Sequence, residues 1–368
     1  MRTTGCHVLR VVVACVVILG AATVVGRPAQ AESQLEVVAS GLDSPRGLAF
    51  GRHGVLYVAE AGRGGDGPCN IGPGGTEFCV GATGAVTRVR NGRQWRIISG
   101  LPSYGNRTHT FVLGPHDVGV LPNGFLHVPI GLGLEAARRA ELGPEGADLG
   151  KLIRVNPTGH WRPVADLVRY ELEHDPDQDI PGALVESDPY GLLQEGLRTF
   201  VVDAAGNDLL KVDSQRRIST VAVFPDLPDP ESGEMLDAVP TSVARGPDGA
   251  LYVGQLTGYP WPPGQAQVFR VVPGELPTVY ASGFTNIIDI TFDDDGRLLV
   301  LEIATNGLAS DDPTTGALKR VEHDGNVTVL AQQGLISPTS VVIGPDGALY
   351  ISNNGRTVGA GQVVRLQP

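Results

Sequence analysis

The sequence lacks a surplus of positive charge, a second long apolar run, and the local motifs that mark common enzyme families. Its 368 residues carry 28 Lys and Arg against 40 Asp and Glu, a formal net charge of −12. Such acidic proteins bind nucleic acids and anionic membranes poorly. The chain also has no nucleophile elbow, no phosphate-binding glycine loop and no zinc signature. We therefore expect no nucleic-acid partner, and no catalytic mechanism follows from a motif.

The one long apolar run lies near the N-terminus, in "VVVACVVILGAATVV" (11–25). It follows Arg2 and Arg10 and leads to the small-residue sequence "AQA", which ends at Ala31. These three parts are typical of a secretory signal peptide. The alternative, a membrane anchor, would need ~20 apolar residues. We predict a signal peptide over 1–31 and a secreted protein without a membrane span, whose net charge becomes −15 when three arginines and no acid are lost.

Only two cysteines, Cys69 and Cys79, follow that segment. They enclose the Gly- and Pro-rich stretch "CNIGPGGTEFC". Disulfides form and persist in exported proteins, so this pair is predicted to close one loop. A metal site with two thiolates is the alternative, but no nearby His or Cys completes it.

A repeated phrase indicates the fold. "PTSVARGPDGALYVGQ" from Pro240 returns as "PTSVVIGPDGALYISN" from Pro338. Each copy is typical of a short apolar strand, a tight turn that ends in Gly, and a second apolar strand. Weaker copies begin at four other positions, Ser44, Gly114, Asp188 and Asn286. The 50 glycines and 28 prolines agree with many turns and few long helices.

A second pair of strands follows each copy, with a basic residue before a Val or Leu: Arg88, Arg154, Lys211, Arg270, Arg320 and Arg365. Four strands per unit at intervals of roughly 50 to 70 residues predict a β-propeller. The last unit ends after its third strand, and "LEVVASGL" (35–42) matches the missing fourth. We therefore predict an all-β, six-bladed β-propeller with four strands per blade. Residues 32–368 form its single domain, and the N-terminal strand completes the last blade.

Equivalent positions in the six units should meet at one mouth of the central channel. The second strands end at Glu60, Ile130, Asp203, Gln255, Glu302 and Asn353, and the inner strands start near Arg46, His116, Tyr190, Thr241, Ile288 and Thr339. Crowded carboxylates at a low-dielectric mouth favour a neutralising cation, and Ca²⁺ suits oxygen ligands best. We predict one divalent cation, with Glu60, Asp203, Asp289 and Glu302 as its ligands. The alternative is that these carboxylates accept hydrogen bonds from loop amides and water, with Arg46 as counter-charge.

The long connecting segments are predicted to emerge on the same face, where binding residues usually lie. "GYPWPPG" (258–264) places Tyr259 and Trp261 on a stiff loop that could stack on a ligand or pack on its own blade. We predict a monomer that binds a small molecule, glycan or protein on this face. The predicted ligand-binding residues are Arg46, His116, Asp117, Tyr190, Tyr259 and Trp261.

Several phrases together resemble the ScyD/ScyE family of exported bacterial propellers, named after proteins associated with synthesis of the pigment scytonemin. They are "DPYGLL", "VVDAAGNDLLKVD", "ISTVAVFP", "VPTSVARGPDGALYVGQLTGYPWPPG" and "FTNIIDITFDDDGRLLVLEI". They occur in order over essentially the whole mature chain. The resemblance implies an NHL-like propeller outside the cytoplasm and no particular activity or site residue.

More distantly, the repeats are similar to the SMP-30/gluconolactonase hydrolases and the quinone-dependent sugar dehydrogenases. The first resemblance implies a channel cation held by Glu, Asn and Asp, although the spacing of the acidic residues here differs from that pattern. No His and Arg set matches the dehydrogenase cofactor site. Two hypotheses follow: a secreted ligand- or partner-binding accessory protein, or a metal-dependent lactonase.

Overall fold

The computed structural model describes residues 35–72, 75–177 and 184–367, and these residues form a six-bladed β-propeller. The predicted signal peptide and its cleavage site lie outside the described residues. Within those ranges no helix has both the length and the apolar character of a bilayer-spanning segment.

Each blade is built on four antiparallel strands, which run in chain order from the channel outward in blades 1 to 5. Blade 1 contains Pro45–Phe50, Leu56–Glu60, Glu77–Arg90 and Arg93–Asn106, extended by Cys69–Ile71 and Val112–Leu113. Blade 2 contains Gly119–Val120, Leu126–Pro129, Lys151–Val155 and Trp161–Asp166. Blade 3 contains Pro189–Glu195, Arg198–Asp203, Asp208–Val212 and Ile218–Val223.

The remaining blades follow the same plan. Blade 4 contains Pro240–Arg245, Leu251–Gln255, Ala266–Val271 and Thr278–Phe284. Blade 5 contains Ile287–Phe292, Leu298–Glu302, Ala317–Val321 and Val327–Ala331. Blade 6 contains Ser340–Ile343, Leu349–Asn353 and Val358–Leu366, and its fourth strand is Glu36–Asp43 from the other end of the chain. This antiparallel pairing, with Glu36 opposite Arg365, confirms the predicted closure of the ring.

The repeated phrase forms the same turn in blades 4 and 6. In blade 4, the Asp248 carboxylate accepts hydrogen bonds from the Ala250 amide and the Tyr252 hydroxyl, and it pairs with Arg270 of the third strand at 2.7 Å. Asp346 makes the equivalent contacts in blade 6, including an ion pair with Arg365 at 2.7 Å. The phrase therefore recurs because one aspartate ties the hairpin turn to the next strand.

The hydrophobic core lies between neighbouring blades. Phe200 and Val202 of blade 3 pack with Val253 and Phe269 of blade 4 in one buried cluster. Leu42 of the closing strand packs with Val58 of blade 1 in another. Each blade thus buries both faces against its neighbours, which explains why its strands are apolar on both sides.

The connecting segments carry the other regular elements. Helix α1 (Gly143–Gly146) lies between the second and third strands of blade 2, and helix α2 (Leu167–His174) follows the last strand of that blade. There are 3₁₀ turns at Arg52–Gly54 and Ala136–Leu142. Leu134–Glu135 pairs with Glu186–Ser187, and Leu227–Pro228 pairs with Met235–Leu236.

Two features of these segments bear on the sequence analysis. Helix α2 was not predicted from the sequence, because its eight residues lie in a segment that the other blades do not repeat. Cys69 and Cys79 form the predicted disulfide.

Candidate functional site

A cavity of about 710 Å³ opens at the channel mouth, between the starts of the inner strands and the connecting segments. All six predicted start positions line it: Arg46, His116, Tyr190, Thr241, Ile288 and Thr339. Its volume lies within the ~300–1,000 Å³ that is usual for small-molecule sites. The structure therefore brings one residue from each blade to a single cavity.

Arg46 is a buried cation held by carbonyl groups. Its side chain donates to the carbonyl oxygens of Pro45 (3.2 Å), Val112 (2.9 Å) and Gly355, and its Nε has no partner. Among the described residues, no carboxylate oxygen lies within the 4.0 Å of an ion pair with Arg46. Burial lowers the pKa of the guanidinium, although Tyr190 and Asp188 oppose that effect. The positive charge is thus fixed in place without a direct ionic partner.

His116 supplies an unpartnered hydrogen-bond acceptor beside this cation. The residue is 2% exposed. Its Nδ1 lies 3.2 Å from the Pro189 carbonyl oxygen, which can only accept, so we assign the hydrogen to Nδ1 and a free lone pair to Nε2. Nε2 is buried without a partner. Burial and the nearby Arg46 charge lower the pKa of His116 to about 3, so the imidazole is neutral at neutral pH.

Tyr190, Asp188 and Arg356 add further polar groups to the cavity. The rings of Tyr190 and His116 lie 4.5 Å apart. Burial raises the pKa of Tyr190 to about 12, so its hydroxyl remains a donor. Asp188 accepts from the Leu132 amide at 3.0 Å, and burial and repulsion by Asp203 raise its pKa. Arg356 donates to the Thr110 carbonyl oxygen at 3.3 Å, and burial and repulsion by Arg46 lower its pKa.

The cavity also has an apolar part. It is lined by aliphatic side chains from blades 4 and 5 and the segments that follow them, Leu256, Ile288, Ile303 and Leu308. Three arginines, Arg46, Arg138 and Arg356, line the same cavity, together with four acidic residues, Glu135, Glu186, Asp188 and Asp237. This lining suits a molecule that has both polar and apolar parts.

The aromatic loop lies at the rim. Tyr259 and Trp261 both line the cavity, with their ring centroids 5.3 Å apart. Tyr259 is 73% exposed, so it does not pack into its own blade. Contact of either ring with a ligand remains a prediction.

Asp117 and Asp289 lie one residue further along their inner strands and do not line the cavity. Asp117 accepts from the Leu192 amide of blade 3, and Asp289 accepts from the Val341 amide of blade 6, both at 2.8 Å. Burial raises the pKa of both carboxyls, to about 6 for Asp289, and repulsion by Asp289 adds to the effect on Asp117. Each one ties its blade to the next.

Four of the residues that end the second strands share one structural task. Each accepts a hydrogen bond from a backbone amide 15 to 17 residues earlier, just before the blade begins. The pairs are Glu60 with Asp43, Asp203 with Asp188, Glu302 with Thr285, and Asn353 with Ile336. These side chains therefore fix the entry of the chain into each blade.

The structure does not assemble the predicted cation site from Glu60, Asp203, Asp289 and Glu302. Glu60 is paired with Arg96 at 2.6 Å, and Glu302 with Lys319 at 2.7 Å. In the part of the chain that the structure describes, the only three metal-type ligands within 4.8 Å of one another are Cys69, Glu77 and Cys79. The disulfide occupies both of those sulfur atoms. Each of the four carboxylates thus has protein contacts of its own. This arrangement corresponds to the alternative in which they accept hydrogen bonds from loop amides.

Known proteins share the fold but not the sequence. No protein-family model and no curated protein matches the chain. The calcium-binding protein regucalcin from Agrobacterium tumefaciens is similar with a TM-score of 0.53 at 11% identity, over 91% of this chain and 95% of its own. A gluconolactonase from Xanthomonas campestris gives 0.51 at 12%, over 91% and 90%. A protein of unknown function from Bacteroides thetaiotaomicron gives 0.55 at 9%, over 91% and 72%. These similarities support the propeller fold, and the ScyD/ScyE resemblance stays a prediction.

Sequence reasoning missed Asp188 and Arg356. Asp188 stands two residues before Tyr190 in "DPYGLL", and Arg356 follows the second strand of blade 6 in "NNGRT". Both lie outside the strand-end positions that the repeats align. A basic residue in a segment otherwise made of small and polar residues was the available signal for Arg356.

Proposed function

We propose that the protein binds a small organic molecule with an anionic end in the channel-mouth cavity. The observation that carries this proposal is Arg46, a buried guanidinium that has no ion pair with any described carboxylate and that a second cation, Arg356, repels. Buried charges are normally paired. A ligand anion would provide the missing partner.

The other lining residues fit the same ligand. His116 Nε2 would accept a hydrogen bond from it, and the Tyr190 hydroxyl would donate one. The aliphatic wall at Ile288 and Ile303 would cover its apolar part, and Trp261 would cover it from the rim. We further propose that binding occurs outside the cytoplasm, which the signal-peptide pattern and the disulfide support.

A paired ligand panel tests this proposal. Aromatic and aliphatic carboxylates and phosphate esters are compared with their neutral amides and alcohols, by calorimetry and by the fluorescence of Trp261. Arg356→Gln removes a cation with a single carbonyl contact, and Arg52→Gln is the matched control, since Arg52 also contacts one carbonyl, that of Pro122, but does not line the cavity. We expect binding of the acids only, weakened by roughly 10- to 100-fold in Arg356→Gln and unchanged in Arg52→Gln.

Equal binding of acids and neutral analogues would contradict the proposal. So would unchanged affinity in both Arg356→Gln and Arg46→Gln. Arg46→Gln is the second variant because Arg46 also anchors three carbonyl groups and its loss affects stability.

Hydrolysis of a lactone or ester is the second candidate. It is favoured by the gluconolactonase among the similar structures. The predicted cation ligands do not fit a shared metal site, so we derive no step through a metal. Water attack would instead need His116 as the base that takes the proton, with Arg46 stabilising the carbonyl oxygen. A pKa of about 3 makes His116 a weak base, which favours binding over catalysis.

A lactone and ester screen with and without chelator separates the two candidates. Turnover that is lost in His116→Gln and unaffected by chelator would establish hydrolysis by this cavity. Turnover lost with chelator would instead implicate a cation. Binding without turnover would leave the ligand-binding function.

A further inference from the structure

Three buried carboxylates lie where helix α2 packs on blade 3, and no basic residue of the described ranges forms an ion pair with them. Glu171 lies in helix α2, Asp203 ends the second strand and Asp208 begins the third. Their exposed fractions are 1%, 0% and 0%. Within the described ranges no ion pair includes any of the three. None of them lines the channel-mouth cavity.

The backbone holds these side chains close together. Asp203 and Asp208 are directly opposed in the antiparallel pairing, so their side chains project from the same face of the sheet. Gly206, in the turn between them, leaves room for the helix residue. A carbon added there would lie 3.2 Å from Glu171 Oε2 and 3.3 Å from Asp203 Cγ. The Glu171 carboxylate therefore reaches over the turn toward the two aspartates.

Their oxygen atoms are not satisfied by the protein. Among the described residues, none is a hydrogen-bond partner of the buried Oε1 of Glu171 or of either buried carboxylate oxygen of Asp208. Asp203 differs, since it accepts from Ser187 Oγ and from the amides of Asp188, Ala205 and Gly206. Three carboxylate oxygen atoms thus lack a hydrogen bond from any described residue, and the nearby Asp203 carboxylate adds further negative charge.

Electrostatics makes this arrangement unfavourable for the protein alone. Burial, together with repulsion by Asp203, Asp177 and Asp175, raises the pKa of Glu171 to about 10. The pKa of Asp208 is raised by burial and by repulsion from Glu171 and Asp203. All of these neighbours are acids. Such a group of carboxylates is stable when it is protonated or when a cation neutralises it.

We propose that Glu171 and Asp208, backed by Asp203, bind one Ca²⁺ ion that joins helix α2 to blade 3. An all-oxygen set favours a hard cation over Zn²⁺, and ligands from a helix and two strand ends suit the adaptable geometry of Ca²⁺ better than the strict octahedron of Mg²⁺. The three carboxylates do not all approach within 4.8 Å, so the ion would draw the Glu171 side chain toward Asp208. Of the ligands predicted from the sequence, this site keeps only Asp203.

Calorimetric titration of the full chain, treated with chelator and then given CaCl₂, tests the proposal. We expect one ion per chain, a higher melting temperature with Ca²⁺, and a smaller effect of Mg²⁺. Asp208→Asn and Glu171→Gln keep the side-chain shape and remove one charge each. Each should weaken Ca²⁺ binding by more than the roughly 10- to 100-fold that loss of an outer-shell partner costs. Without Ca²⁺, these variants should melt no lower than the unchanged protein, because a repulsion has been removed.

Asp289→Asn is the matched control, since Asp289 was also predicted as a cation ligand but contacts the Ser340 hydroxyl and the Val341 amide. It should retain the Ca²⁺ response in full. The proposal is overturned if the unchanged protein binds no Ca²⁺, or if both Asp208→Asn and Glu171→Gln keep the response. Loss of the response in Asp289→Asn alone would place the ion in the channel instead. If one of the two variants does not fold, the other decides the test.

Discussion

Replacement of His116 by Gln should change how the stability of the protein depends on pH. In the folded protein the pKa of His116 is lowered to about 3, by burial and by Arg46, whereas the unfolded chain has the ordinary value of 6.5. The unfolded state therefore binds a proton that the folded state does not. Stability from the neutral imidazole is fully present above pH 6.5 and is lost as the pH falls toward 3.

The size of the effect follows from the gap between the two pKa values. Each pH unit below 6.5 costs about 1.4 kcal/mol while His116 stays neutral in the folded state. Between about pH 8 and pH 5 the loss is therefore about 2 kcal/mol. A glutamine at this position does not titrate, so the variant should lack this part of the pH dependence.

Urea unfolding at several values between about pH 8 and pH 5 measures the effect. The quantity compared is the change in unfolding free energy with pH, not its absolute value, so a general destabilisation by the substitution does not matter. The comparison between the unchanged protein and the His116→Gln variant is repeated with Asp188→Asn added to both. This control is needed because the pKa of Asp188 is also raised and its Oδ1 lies 3.7 Å from His116 Nδ1. Parallel pH profiles for the unchanged protein and the His116→Gln variant would refute the buried, neutral imidazole.

Four further outcomes are expected. Glu302→Gln should lower the unfolding free energy by about 1–3 kcal/mol, equally with Ca²⁺ and with chelator, because it breaks the contact with Lys319; an effect only with Ca²⁺ would contradict this role. Leu42→Ala should cost about 2–5 kcal/mol in urea unfolding, since Leu42 of the closing strand is 1% exposed. Gly131→Ala should abolish ligand binding, because the new methyl carbon would collide with the His116 ring, while Gly119→Ala, which meets Leu192 away from the cavity, should only destabilise. Mass spectrometry of the exported protein should find a chain that begins at Glu32, and any other first residue would contradict cleavage after Ala31.

The repeats made the fold predictable because each blade needs the same local chemistry. The turn glycine, the apolar strands and the aspartate that pairs with Arg270 in blade 4 occur in sequence as a visible phrase. Ring closure was predictable from the missing last strand and the match of 35–42 to it. Helix α2 was not, because a single two-turn helix in a long acidic segment has no repeat to compare with.

The site was predictable only in part, for a physical reason. Alignment identified the positions of Arg46, His116 and Tyr190, since they occupy equivalent places in the repeats. It could not distinguish a carboxylate that faces a ligand from one that faces a backbone amide. Glu60 and Glu302 are acids at the end of an apolar strand, which in sequence has the same appearance in both cases. Their pairing with basic side chains of other strands depends on the distance between strands and not on sequence spacing.

The six residues that end the second strands and the six that start the inner strands therefore differ in what they can reveal about function. The residues that end the second strands are alike because four blades use them for one backbone contact, so their acidity follows from the fold. Of the residues that start the inner strands, only His116, Thr241 and Thr339 share a contact, a hydrogen bond to the carbonyl oxygen that begins the next blade at Pro189, Ile287 and Pro45. The six residues differ in chemistry from blade to blade. A symmetric channel would present the same side chain six times. Here Arg46, His116 and Tyr190 of blades 1 to 3 line one cavity with Thr241, Ile288 and Thr339 of blades 4 to 6, so the lining is asymmetric. Substitutions of the residues that end the second strands should alter stability whatever ligand is present. Substitutions of the residues that start the inner strands should also alter which ligand binds.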